Sequence, residues 1–320
     1  MIAVIGGGCW ATAIVKILLD AGQRTVGWWV RSDEVCKGLS VSGRNLRHLT
    51  SLQFDPNRLK VNTNLSDVVA TSDTLVLAVP SVHIADLLAQ LPPSSYHGKR
   101  FVSAIKGYVP QYRLSISQYI EQHLHVTPDV ICIISGPSHA EEVADGKATF
   151  LTVASTNPQL ANEIATTLTC SYIHTSVSND VHAIELCGLS KNVYAVAAGL
   201  TAGLGYGDNL TAVLTSAAAH ELQDIIPDTT LTFKILSDLI VTCFSHHSRN
   251  RALGEAVASG MTPDEYFRQS GMVAEGYYSA AVMHDMATPC PTPIADAVFQ
   301  VLHLGADPRK CIDNLIDNVL

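Results

Sequence analysis

Short β-branched apolar runs alternate with helix-period stretches over the first half of the chain. The runs are Met1–Ile5, Thr25–Val30, Thr74–Val79, Phe101–Ile105, Val130–Ile134 and Phe150–Val153. Nearly continuous apolar strands separated by helices predict a parallel sheet covered on both faces. After Asp180 the pattern turns almost wholly helical and rich in Ala, Leu and Val. Breaks are expected there at Gly199–Asn209, Pro227-Asp228, Gly260–Pro263 and Pro289–Pro293. The expected fold class is α/β: a Rossmann-like doubly wound N-terminal domain, residues 1–178, followed by an all-α C-terminal domain, residues 179–320.

Composition narrows the classes. With 47% hydrophobic and 15% charged residues the chain is neither disordered nor a coiled coil, and 320 residues favour two domains over one. A net charge of -9 disfavours general nucleic-acid binding but leaves a local anion site open. No apolar run approaches the ~18 residues of a membrane span, so no stable membrane insertion is expected. The first strand starts at residue 1, leaving no room for a leader. The eight scattered cysteines contain no Cys-x-x-Cys pair and read as reduced, mostly buried thiols. These features predict a soluble, cytoplasmic protein.

The chemistry starts at the N-terminus. Gly6-Gly7-Gly8-Cys9-Trp10-Ala11 follows a strand and opens a helical pattern, the context a dinucleotide fingerprint requires. Gly6 permits the tight turn, Gly8 lets the backbone approach a pyrophosphate, and Ala11 allows close helix packing. The helix N-terminus then presents N–H groups to phosphate. The alternative is a purely structural glycine turn. The second strand ends in Trp28-Trp29-Val30-Arg31 with Asp33 and Glu34 beyond, not in a ribose-binding acid. Arg31 suits adenine stacking, a 2′-phosphate or plain solvation, so the choice between NAD and NADP stays open.

Open α/β sheets bind ligands beyond the carboxyl ends of their strands. Three such ends carry suggestive residues: Val79-Pro80-Ser81, Ile105-Lys106-Gly107 and Ser135-Gly136-Pro137-Ser138-His139-Ala140. In the helical half, Lys191 lies in the otherwise apolar Glu185–Val193 stretch. A buried lysine is costly unless paired or used, and it serves as a proton donor when tuned. Asp238 and Thr242 share a helix face four residues apart. Ser248-Arg249-Asn250-Arg251 gathers hydroxyl, amide and guanidinium groups suited to phosphate, or simply to a solvated helix start. His246-His247 lacks zinc spacing and a third ligand. His139-Ala140-Glu141-Glu142 is no His-Glu-x-x-His, and neither a nucleophile elbow nor a P-loop is present. No metal is expected.

Taken in order, these motifs resemble the bacterial-type NAD(P)-dependent glycerol-3-phosphate dehydrogenases over nearly the whole chain. The most specific stretches are Leu189-Ser190-Lys191-Asn192-Val193-Tyr194-Ala195, Asp238-Leu239 to Thr242-Cys243, Ser248-Arg249-Asn250-Arg251, Ala274-Glu275-Gly276 and Pro293–Val298. The resemblance implies Lys191 as proton donor and acceptor, assisted by Asp238 and Lys106. It implies Lys106, Gly136, Ser138, Asn192, Asp238, Thr242, Ser248, Arg249 and Asn250 around the substrate. For the coenzyme it implies Gly6, Gly8, Cys9, Trp10, Arg31, Lys106, Ala140, Arg249 and Glu275. It further implies a homodimer that interconverts dihydroxyacetone phosphate and sn-glycerol 3-phosphate and supplies glycerol phosphate for phospholipids. Alternatives are a related dehydrogenase for a hydroxyacyl or sugar-acid substrate, or a non-catalytic dinucleotide-binding paralogue. The chain departs from the family pattern at Cys9 (usually serine), at Ala11 (usually glycine), at Ile235-Leu236-Ser237 before Asp238 (usually Gly-Leu-Gly), at Ser216 (commonly arginine) and in a shorter connection from Leu222 to Thr232.

Overall fold

The computed structural model describes residues 1–226, 233–286 and 290–320, with every side chain in them except that of Lys234. The expected break at Pro227-Asp228, most of the Leu222–Thr232 connection and the start of the Pro289–Pro293 segment lie outside the described residues. Two compact units emerge: residues 1–105 with 114–181, and residues 106–113 with 182–320. The short segment Lys106–Arg113 thus belongs with the helical half, although the chain reaches it from a strand of the first unit.

The first unit is built on one eight-stranded sheet. Its strands are β1 (Ile2–Ile5), β2 (Val26–Trp29), β3 (Leu59–Asn62), β4 (Thr74–Leu77), β5 (Arg100–Ser103), β6 (Ile131–Ser135), β7 (Thr149–Ala154) and β8 (Ile173–Ser178). Their order is β3-β2-β1-β4-β5-β6-β7-β8. All neighbours run parallel except β6 and β7, which pair antiparallel. The six apolar runs each overlap a strand, β1, β2, β4, β5, β6 and β7, and every residue of β2, β4 and β6 is buried. The edge strands β3 and β8 are additional. Leu59-Lys60-Val61-Asn62 and Ile173-His174-Thr175-Ser176-Val177-Ser178 carry polar residues because each has a neighbour on one side only and is partly exposed, so neither forms a continuous apolar run. The helices of this unit are α1 (Cys9–Asp20), α2 (Asp33–Ser42), α3 (Leu65–Ala70), α4 (Ser81–Leu88), α5 (Ile116–Leu124), α6 (Ala140–Ala144) and α7 (Pro158–Leu168). Helix α1 buries Ala11, Ala13, Ile14, Ile17 and Leu18, and its C-terminal turn ends at Gly22 with φ +99°.

The second unit is helical: α8 (Val181–Gly203), α9 (Asp208–Ile225), α10 (Phe233–Phe244), α11 (Arg249–Ala258), α12 (Pro263–Ser270), α13 (Glu275–Asp285), α14 (Pro293–Leu304) and α15 (Pro308–Asn318). The break at Gly260–Pro263 is present, closed by a capping box between Thr262 and Glu265. The break expected from Gly199 onward is corrected to the four residues Leu204–Gly207, because α8 runs straight through Gly199. This glycine serves contact instead of chain reversal. A Cβ there would lie 2.1 Å from the Arg251 carbonyl oxygen, and one on Gly254 would lie 2.2 Å from that of Val196. Helices α8 and α11 therefore meet backbone to backbone. None of the eight cysteines is in a disulfide, but only Cys132, Cys187 and Cys243 are buried, fewer than the sequence suggested.

Candidate active site

The glycine turn between β1 and α1 is braced from several sides. Gly6 adopts φ +142°, and a Cβ on it would fall 2.3 Å from the Ala78 carbonyl oxygen, so only glycine fits. The indole N–H of Trp28 donates to the Gly6 carbonyl at 2.7 Å. Thr12 Oγ1 donates to the Gly8 carbonyl at 2.9 Å. Asn45, fully buried, donates from Nδ2 to Gly7 O at 3.0 Å and to Thr12 Oγ1 at 2.8 Å, while its Oδ1 accepts from the N–H groups of Arg47 and His48. Sequence reasoning missed Asn45, since a lone asparagine in a loop carries no periodic signal.

Gly8 is the N-cap of α1 with no side-chain cap, and a Cβ built on it meets nothing within 4 Å. Open space over an uncapped helix start fits a pyrophosphate. Cys9 begins the helix with its sulfur 3.5 Å from His48 Nδ1, and the Trp10 indole N–H donates to Ala104 O at 3.1 Å. Arg31 follows β2 and is exposed. Glu34 pairs with Arg47 at 2.6 Å, and among the described residues no carboxylate pairs with Arg31. Gly136 ends β6 at φ +124°, where a Cβ would lie 2.4 Å from Phe150 O, and Ser138 Oγ donates to the Gly136 carbonyl at 2.9 Å. Ala140 is buried at the start of α6. These residues all belong to the first unit.

The catalytic candidates gather in the second unit. Lys191 lies mid-way along α8, buried, and donates to Asp238 Oδ1, which α10 presents. The other carboxylate oxygen faces Lys106 Nζ at 3.4 Å. Lys191 and Lys106 thus flank one buried carboxylate, and their nitrogens offer positive potential to a developing oxyanion or a phosphate. Burial pushes the Lys191 ammonium well below the usual lysine range. Asp238 pulls it back up, and Lys106 adds to the downward push. Thr242 sits one turn beyond Asp238, and its hydroxyl donates to the Asp238 main-chain carbonyl. The altered Ile235-Leu236-Ser237 approach is regular helix, with Ser237 Oγ donating to Phe233 O at 2.6 Å. Ser216 is exposed, its hydroxyl on the Ala212 carbonyl.

At the start of α11, Ser248 is the N-cap and accepts from the Arg251 N–H. Arg251 is committed to structure, with Nε on Glu255 at 2.8 Å and Nη1 on the Phe244 carbonyl. Arg249, by contrast, is exposed. Asn250 is buried, its Oδ1 accepting from the Gly276 N–H at 2.9 Å and its Nδ2 donating to Asn192 Oδ1 at 2.8 Å, which leaves one Nδ2 hydrogen. Glu275, half-buried, opens α13. A Cβ on Gly276 would fall 2.5 Å from the Asn192 carbonyl oxygen, which accounts for glycine after Glu275. Among the described residues no His, Cys, Asp or Glu cluster could hold a metal ion, and no helix is long and apolar enough to cross a membrane.

A doubly wound sheet with a glycine turn at its first strand, and a buried ammonium held by a carboxylate in an appended helical unit, define a dinucleotide-dependent dehydrogenase. Models of the NAD-dependent glycerol-3-phosphate dehydrogenase N-terminus and C-terminus match residues 1–161 and 180–313. The chain is 33% identical to the NAD(P)+ glycerol-3-phosphate dehydrogenase 1 of Salinibacter ruber, over 98% of this chain and 94% of that one. It is 30% identical to the NAD(P)+ glycerol-3-phosphate dehydrogenase of Chlorobium limicola, over 98% and 97%. The solved glycerol-3-phosphate dehydrogenase of Coxiella burnetii superposes with a TM-score of 0.92 at 28% identity, covering 99% of this chain and 98% of that one. The chain belongs to the NAD-dependent glycerol-3-phosphate dehydrogenases.

Proposed function

We propose that this enzyme interconverts dihydroxyacetone phosphate and sn-glycerol 3-phosphate with NAD(P)H, and that Lys191 is its proton donor and acceptor. The observation that carries the reading is the buried Lys191–Asp238 pair, with Lys106 Nζ 3.4 Å from the same carboxylate. The nicotinamide coenzyme, when bound, contributes a hydride to the central carbon of the substrate. Around that step the chain does the rest. Lys191 neutralises the alkoxide developing on the carbonyl oxygen and delivers its Nζ proton, a contribution of roughly 10²–10⁴-fold. Asp238 holds Lys191 in place and keeps it charged. Lys106 adds positive potential at the same carboxylate. Arg249 and the remaining Nδ2 hydrogen of Asn250 bind the phosphate and orient the carbonyl. Gly6, Gly8 and the start of α1 hold the coenzyme pyrophosphate, with Cys9, Trp10, Ala140 and Glu275 as further coenzyme contacts. Gly136, Ser138, Thr242 and Ser248 complete the substrate surroundings.

The enzyme acts in the cytoplasm as a homodimer, and its product is the glycerol phosphate backbone of phospholipids. The deciding experiment is NAD(P)H oxidation with dihydroxyacetone phosphate against a panel of 2-oxo acids, 3-oxoacyl thioesters and unphosphorylated dihydroxyacetone. Preference for another panel member overturns the substrate assignment. Light scattering at twice the 34.3 kDa chain mass is the expected result for the dimer.

A further inference from the structure

Asn192, next to Lys191 on α8, is buried, and all but one acceptor site of its carboxamide is committed. Its Nδ2 donates to the main-chain carbonyl of Lys106 at 2.5 Å and to that of Gly188 at 2.9 Å, which uses both hydrogens. Its Oδ1 accepts from Asn250 Nδ2 at 2.8 Å. Backbone groups at each end fix the direction of this relay. The Gly276 N–H can only donate, so Asn250 must turn its oxygen to it and its nitrogen to Asn192. Asn192 in turn faces two carbonyls and must present its nitrogen to them. The result is an uninterrupted buried chain from α13 through α11 and α8 to the Lys106 backbone.

Lys106 lies on the segment Lys106–Arg113, which leaves β5 and yet packs in the helical unit. Gly188 carries no side chain where Lys106 approaches α8, a Cβ there lying 3.7 Å from Lys106 Cα. We propose that Asn192 is a positioning residue that holds the Lys106 main chain and thereby sets the Lys106 ammonium at Asp238. This rests on the reading above in one respect, that the Lys106 ammonium takes part in the reaction. With both amide hydrogens committed, Asn192 has none to offer a substrate oxygen and acts through Lys106 instead.

The test uses the full-length protein with Asn192→Asp, which keeps the volume and removes both donors, and Asn192→Ser as a second variant of smaller size. Hydrogen exchange of peptides covering residues 106–113 should accelerate at least about tenfold in both variants while the middle of α10 stays unchanged. With dihydroxyacetone phosphate, kcat should fall roughly 10²-fold, as for a misplaced catalytic group, with KM changed far less. In a Lys106→Ala background the same Asn192 substitution should cost less than about threefold, since coupled residues are non-additive. Unchanged exchange over 106–113, or a full additive loss on top of Lys106→Ala, overturns the proposal. If Lys106→Ala is too slow to assay, the exchange result decides alone. A wild type inactive on dihydroxyacetone phosphate would instead sink the substrate assignment and leave the exchange result standing.

Discussion

Arg47 holds Glu34 through two hydrogen bonds, at 2.6 and 3.0 Å, and among the described residues Glu34 forms its ion pair with Arg47 and none with Arg31. Asp33 and Glu34 stand close enough in sequence for a local ion pair with Arg31. Asp33 and Glu34 instead lie in the first turn of α2, a favourable place for acids. Arg31 itself is exposed, which fits the 2′-phosphate contact proposed for it. The enzyme should therefore accept NADPH as well as NADH, and Arg31→Ser should lower kcat/KM for NADPH selectively by roughly 10–100-fold. An unchanged NADPH-to-NADH ratio would reduce Arg31 to adenine stacking or solvation.

The two arginines that flank Asn250 should separate cleanly. Arg249→Ala should raise KM for dihydroxyacetone phosphate by about 10–100-fold, since hydrogen bonds to charged groups contribute about 1.5–3 kcal/mol. Arg251 is tied to Glu255 and the Phe244 carbonyl, so Arg251→Ala should lower thermal stability with a smaller change in KM. Steady-state kinetics and melting curves on both variants check the assignment; a KM effect confined to Arg251→Ala would exchange their roles.

Glycines inside the helical unit divide into two kinds. A methyl group on Gly254 would meet backbone atoms at 2.2 and 2.8 Å, which cannot swing aside, so Gly254→Ala should destabilise by about 1–3 kcal/mol. Gly188 has only ordinary contacts at 3.7 and 3.9 Å, and Gly188→Ala should stabilise α8 by about 0.5–1 kcal/mol. Chemical denaturation of the two variants should move their midpoints in opposite directions.

Legibility from sequence followed burial and periodicity. The central strands were readable because both faces are covered, and the glycine turn because Gly6 sits where no side chain fits. Edge strands β3 and β8 were not, since partial exposure removes the apolar run. Lys191 stood out as a charge in an apolar helix, but its carboxylate partner lies 47 residues away, a pairing that spacing alone does not reveal. Gly199 was misread as a breaker because a glycine for close helix contact and one for chain reversal look alike in sequence. Asn45 and the Asn192–Asn250 relay depend on main-chain partners, and main-chain groups carry no sequence signature.

Glu221 on α9 accepts from the N–H groups of Ile294 and Ala295 in the first turn of α14, at 2.9 and 3.3 Å. Burial pushes its carboxyl up to about 7 in spite of those two bonds. The native state therefore binds more protons than the unfolded chain between pH ~4.5 and ~7, and this group's contribution to stability is lost as pH rises through that window. Across it the loss is bounded by about 3 kcal/mol. Glu221→Gln should flatten the fall. Urea midpoints at pH 5 and pH 8 would show it, and an equal slope in both proteins would refute the assignment.

The two ammonium groups around Asp238 predict opposite displacements of one pH limb. With Lys191 as the proposed proton donor, reduction of a carbonyl needs it protonated, so the rate should fall with rising pH through a Lys191 value well below the ordinary lysine range. Oxidation of glycerol 3-phosphate needs the neutral amine and should rise over the same interval. Lys106 lowers the Lys191 value, so Lys106→Met should move both limbs to higher pH. Asp238 raises it, so Asp238→Asn should move them lower and leave the lysine largely neutral at pH 7, with a loss of reduction rate that mild acid partly restores. Lys191→Met should remove the limb along with ~10²–10⁴-fold of kcat while coenzyme affinity stays near wild type. The measurement is kcat in both directions from pH 5.5 to 10 for the three variants. If Lys106→Met and Asp238→Asn displace the limb in the same direction, or Lys191→Met keeps more than about a tenth of wild-type turnover, the proton does not come from Lys191.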